Sequence, residues 1–200
     1  MATTYSATRG AAQAAATLPP RTLSLDEFLR LPEKGPALEF ENGRVTQKVS
    51  PKGRHSALQT GIAQLFDRIG RRRGAARAFT ELRFSFGGHS YVPDVSVYRR
   101  QRIPRTPDGK VADDFRAPPD IAVEIISPGQ SVNAVLRRCL WYVAHEVRAA
   151  ITVDPNDESV ILFRPGATPV VLRGPDQLDL GDIIPDLIVP VDRFFAMLLP

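Results

Sequence analysis

Ile121-Ala122-Val123-Glu124-Ile125-Ile126 is apolar at every position but one. A short unbroken apolar run suits a central strand whose sheet is covered on both faces. Downstream, Ser131 can cap a helix in which Val132, Val135, Leu136, Cys139, Leu140 and Val143 fall on one stripe. Arg148–Val153 then reads as another buried strand, closed by Asp154-Pro155. Upstream, Tyr91–Tyr98 reads as a short strand containing Val92-Pro93-Asp94-Val95, and Ala78–Phe86 alternates in part before Gly87-Gly88.

Further out, Leu58, Ile62, Leu65, Phe66 and Ile69 recur at the spacing of one helical face, over a helix that begins near Arg54 and ends in Arg71-Arg72-Arg73. Leu38–Val49 has the form of a hairpin around Asn42-Gly43, a pair that favours a tight turn. Thr22–Asp26 opens a short helix with Ser24 as its cap. Ser159–Arg164 and Pro169–Leu172 suggest a late hairpin, and Leu187–Leu199 a closing helix. The order predicts an α/β (α+β) fold: a mixed sheet flanked by helices, with an N-terminal β-hairpin extension. Residues 1–20, rich in Ala and Thr, are expected to form a disordered arm, and 21–200 a single domain.

Composition narrows the function classes. No run approaches the roughly 20 apolar residues of a membrane helix, and the first twenty residues lack the compact apolar core of a signal peptide. A single cysteine excludes an internal disulfide framework and a cysteine-built zinc site, which fits a cytoplasmic protein. Cys139 lies in the apolar stripe of its helix and reads as core. The net charge of +4, carried mostly by arginine, is compatible with a phosphate-bearing partner and equally with a solvated surface.

The acids are more informative. Asp94 and Glu124 fall inside predicted strands, and Glu39 at the start of the hairpin. A carboxylate in an apolar strand is costly unless it is paired or binds a cation. Glu124 therefore either forms an ion pair, with an arginine of the following helix as the natural partner, or holds Mg²⁺ or Mn²⁺.

Val92-Pro93-Asp94-Val95 followed by Val123-Glu124-Ile125-Ile126-Ser127-Pro128 resembles the paired signature of the Uma-two type restriction-endonuclease family, in the PD-(D/E)XK nuclease superfamily. The resemblance extends to Leu38–Val45, to Ser50-Pro51 with His55, to Val147–Pro155 and to the closing helix, and so covers roughly residues 22–197. It implies a restriction-endonuclease-like fold and Mg²⁺- or Mn²⁺-dependent hydrolysis of DNA. Asp94 and Glu124 would be metal ligands, joined by the backbone carbonyl of Ile125, with Glu39 an additional acid. His55 would bond the acids or position substrate; a structural role fits it as well.

One departure matters. The superfamily lysine two residues after the second acid is Ile126 here, and the family's helix-borne lysine and its accompanying acid correspond to Arg138 and Ala134. Arginine can clamp a phosphate but stays protonated, so it is a poor general base. Arg137 lies about 100° around the helix from Arg138, so only one of the two can easily face the site. The alternative reading is a catalytically silent nucleic-acid-binding or interaction module that kept the fold. DNA contacts would come from Arg71, Arg72, Arg73 and Arg77 and from Arg99, Arg100, Arg102 and Arg105. A homodimer would let two sites cut two strands.

Overall fold

The computed structural model describes residues 22–33 and 35–199. The arm expected over 1–20 lies outside the described residues. Helix α1 (Leu25–Leu29) begins with a reciprocal cap, in which the Ser24 hydroxyl accepts from the Glu27 N–H and the Glu27 carboxylate accepts from the Ser24 N–H. Strands β1 (Leu38–Glu41) and β2 (Arg44–Gln47) form the expected hairpin. Asn42 and Gly43 both have positive φ, as its two-residue turn requires. Helix α2 (Gly53–Arg72) buries Leu58, Ile62, Leu65 and Phe66. Gly70 lets it approach the next strand closely: a Cβ there would lie 2.8 Å from the Ala76 carbonyl oxygen.

The extended segments that follow are more broken than their composition predicts. Ala78–Phe86 belongs to two strands, β3 (Ala76–Thr80) and β4 (Phe84–Phe86), separated at Glu81, whose φ is 50. Tyr91–Tyr98 likewise divides into the end of β5 (His89–Tyr91) and β6 (Val95–Arg99). Pro93 has no N–H to give a ladder. Asp94 consequently stands at the break rather than inside a strand.

Next come β7 (Ile121–Ile125), α3 (Val132–Ala144), β8 (Ala149–Asp154), β9 (Ser159–Phe163) and β10 (Val170–Arg173). A small hairpin, β11 (Gln177–Asp179) with β12 (Ile188–Pro190), precedes the closing helix α4 (Asp192–Phe195). That hairpin carries no alternating run long enough to stand out in the sequence.

Six strands form the central sheet in the order β10-β9-β8-β7-β6-β3, with only β7 and β8 parallel, joined by α3. A second sheet runs β2-β1-β5-β4. The N-terminal hairpin is therefore half of a second sheet, extended by β5 and β4, rather than a free appendage. Asp94 lies where the chain passes from β5 in one sheet to β6 in the other.

Side-chain alternation along β7 decides the site. Ile121, Val123 and Ile125 pack into the core that holds Leu58, Ile62 and Phe194. Ala122 belongs to the opposite core, with Cys139 and Tyr142 of α3, and Glu124 shares that face. The expected apolar stripe of α3 is corrected in its orientation: Val135, Cys139 and Tyr142 are buried, while Val132 and Leu140 are exposed. Rotating the helix this way turns Tyr142 toward β7. Burial, with Glu124 adding to it, pushes the Cys139 thiol up to about 12, so this cysteine is core and not a nucleophile. Among the described residues no helix is long and apolar enough to cross a membrane.

Candidate active site

The three acids singled out by sequence converge from both sheets on one cavity of about 530 Å³, also lined by Lys48, His55, Ile125, Arg137 and Arg138. All three carboxylates are buried. Asp94 Oδ2 accepts the Ile125 backbone N–H at 2.7 Å and lies 3.1 Å from His55 Nε2. A carboxylate only accepts, so Nε2 carries the proton. Asp94 Oδ1 accepts from Lys48 Nζ at 2.7 Å. Burial alone would raise the Asp94 pKa; the His55 hydrogen bond and the Lys48 charge outweigh it and hold the group below the usual carboxylate range.

Glu124 Oε1 accepts from the Tyr142 hydroxyl at 2.6 Å, and Oε2 lies 3.5 Å from Arg138 Nη1. Burial pushes its pKa up to about 7, with Arg138 opposing and Asp94 adding to the rise. Glu39 accepts the Val92 N–H at 3.0 Å and pairs with Arg138 at 2.6 Å. Arg138 also lies over the Tyr91 ring, 5.2 Å from its centroid. Burial would weaken its proton affinity, but Glu124 and the other acids raise it further, so it is a fixed cation.

Glu124 thus pairs with Arg138 as one of its two expected roles requires, and its carboxylate also borders the cavity. Arg138 is held among the acids rather than offered to a substrate. Arg137, on the neighbouring helical position, is exposed and lines the cavity rim. Arg138 also stands between Glu39 and Glu124, which separates Glu39 from the inner pair.

Two groups were missed by sequence reasoning. Tyr142 is not among the residues of the apolar stripe that the spacing predicts for α3. Lys48 was read as part of a hairpin arm, although the pairing carries its signal. Glu39 stands opposite Thr46, and Lys48, two residues on, keeps that face of the sheet. A lysine is therefore present at the acids, supplied by the hairpin.

The basic residues divide. Arg99 and Arg102 pair with the fully buried Asp120, and Arg73 pairs with Asp186. Arg71 and Arg77, both paired with Asp67, line a second cavity of about 530 Å³ together with Arg100, Arg105 and Lys110. Arg72 is exposed at the end of α2. This second cavity lies beyond the far end of α2 from His55, about 24 Å along the helix at 1.5 Å per residue.

The family model Uma2, described as "putative restriction endonuclease", matches residues 25–192. Among solved structures, a putative nuclease belonging to DUF820 from Anabaena variabilis ATCC 29413 is similar at 36% identity with a TM-score of 0.85, over 88% of this chain and 99% of that chain. No curated protein matches. The family match takes in the hairpin with Glu39, the break with Asp94, the strand with Glu124 and the helix with Arg138, and the chain belongs to the Uma2 family of putative restriction endonucleases.

Proposed function

We propose that the protein is a metal-dependent endonuclease that hydrolyses DNA phosphodiester bonds at the cavity between Asp94 and Glu124. The observation that carries this reading is the juxtaposition of those two acids. Asp94 immediately precedes β6, which pairs antiparallel with the β7 strand that carries Glu124; Asp94 accepts the N–H of the residue after Glu124, and both acids border one open cavity.

Among the described residues no group of three or more His, Cys, Asp or Glu side chains could hold an ion. A donor set of two carboxylates, with the Ile125 carbonyl and water, still fits a hard divalent cation such as Mg²⁺ or Mn²⁺, which commonly takes one or two protein carboxylates. When bound, such an ion neutralises the phosphate and makes its water a stronger acid. The chain's own residues prepare the site. Ile125 and His55 fix the direction of Asp94, and Tyr142 fixes Glu124. Arg138 positions Glu39 and Glu124 without acting as a base, and Arg137 at the rim is the cation placed to meet a phosphate. The second, arginine-lined cavity supplies salt-dependent, sequence-independent contacts to the backbone. A homodimer would place a second such site on the other strand.

One observation favours a silent nucleic-acid-binding module instead: the buried carboxylates are already neutralised by Lys48 and Arg138. Calorimetry with Mn²⁺ separates the two readings. The nuclease reading expects binding by the wild type and none by Asp94→Ala/Glu124→Ala. Equal heats from both proteins would reject the metal site.

A further inference from the structure

The ammonium of Lys48 is enclosed by four oxygens: Asp94 Oδ1 at 2.7 Å, the Val92 carbonyl at 2.8 Å, and both carboxylate oxygens of Glu81 at 3.1 Å. An ammonium has three protons, so the two acids and the Val92 carbonyl share them. The acids differ in setting. The Asp94 side chain is 3% exposed and that of Glu81 is 42% exposed.

Glu81 is held beside Asp94 by more than charge. Gln59 Nε2 donates to Glu81 Oε1 at 2.7 Å and to the Asp94 carbonyl at 3.0 Å. Glu81 also adopts φ 50, a left-handed backbone that costs a non-glycine residue energy. Its placement is therefore well determined.

Asp94 Oδ2 is committed to Ile125 and His55, which leaves Oδ1 as the oxygen for a metal ion. Lys48 already holds it. Two cations cannot share one oxygen in a partly dry site without strong repulsion. We propose that Lys48 is a tethered cation: it holds Asp94 in the metal-free protein and passes to Glu81 when a divalent ion takes Oδ1. This rests on the metal-site reading above. Nζ already lies 3.1 Å from both Glu81 oxygens, so the exchange gives up one contact and keeps others already made. Glu81, open to water, receives the displaced charge. Lys48 and Glu81 are thus positioning residues that set the site's affinity for its ion.

The test is Mn²⁺ calorimetry on the full chain, comparing wild type, Lys48→Met, Lys48→Gln and Glu81→Gln, with folding followed by circular dichroism. Removing the competing charge is expected to tighten Mn²⁺ binding by about tenfold or more, and Glu81→Gln to weaken it several-fold. Binding by the Lys48 variants where the wild type shows none would overturn the exchange, because Lys48 would then hold Asp94 against the ion instead of passing to Glu81. Unchanged or weaker binding in folded Lys48 variants, beside a wild type that binds, would overturn the proposal and leave the metal site standing. No binding in any of the four would overturn both. If neither Lys48 variant folds, Glu81→Gln decides: it keeps Lys48 in place, and wild-type affinity there would refute the exchange.

Discussion

The hydroxyl of Tyr142 on α3 donates a 2.6 Å hydrogen bond to Glu124 on β7, and both side chains are buried. This bond satisfies one oxygen of a carboxylate that is only 2% exposed. Tyr142→Phe removes the donor and leaves that oxygen unpartnered, which is expected to cost about 1–3 kcal/mol. Urea denaturation of the two proteins measures it; a loss well under that range would mean that water replaces the phenol.

Arg138 is the cation common to Glu39 and Glu124. Arg138→Met leaves two buried acids without it, and breaking such a network typically costs about 3–5 kcal/mol. The loss should be largest near neutral pH and shrink in acid as the carboxylates protonate. Urea midpoints at two pH values check this, and a loss independent of pH would point to packing over Tyr91 as the main role of the side chain.

Glu124 also makes a pH prediction with a definite sign. Its carboxyl titrates at about 7, against a reference value of 4.5. The folded chain thus holds a proton that the unfolded chain has released between those two values. The stabilisation is fully present below the unfolded value and is lost as pH climbs through about 7, an effect of roughly 3 kcal/mol from a shift of this size. Asp94, held low, acts with the opposite sign in more acid solution. Thermal melting across this range should show a downward slope toward neutrality that Glu124→Gln flattens. Mn²⁺ affinity should rise through the same window, because a ligating carboxylate must be deprotonated.

The arginines are expected to separate by role. Arg100→Ala/Arg105→Ala, at the second cavity, should reduce the dependence of log K on log salt for DNA binding by about 1–2, while leaving the fold intact. Arg99→Ala instead weakens the pairing of the buried Asp120 and should lower stability. Salt titrations and melting curves of the two variants test the division.

Periodicity in the sequence made much of the architecture legible. The apolar run around Glu124 is the central strand, Asn42-Gly43 turns the first hairpin, and Ser131 caps α3. Breaks were harder to read: the composition of Tyr91–Tyr98 is that of one strand, and only the missing N–H of Pro93 signals the passage between sheets. In the site, Asp94, Glu124, Glu39 and His55 stood out because charged or titratable groups near apolar runs are conspicuous. Lys48 and Tyr142 did not. Their parts depend on which face of a hairpin and which side of a helix meet β7, and helix rotation is set by packing across the whole sheet. Arg138 was legible as the cation of the site, but its grip on Glu39 depends on a contact 99 residues apart.

The most direct measurement of the central claim is cleavage of a supercoiled plasmid in Mn²⁺ by wild type and Asp94→Asn, each confirmed as folded. The account predicts nicking or linearisation by the wild type, suppressed by chelation and absent in Asp94→Asn. Undiminished cleavage by Asp94→Asn, or none by the wild type, would contradict it.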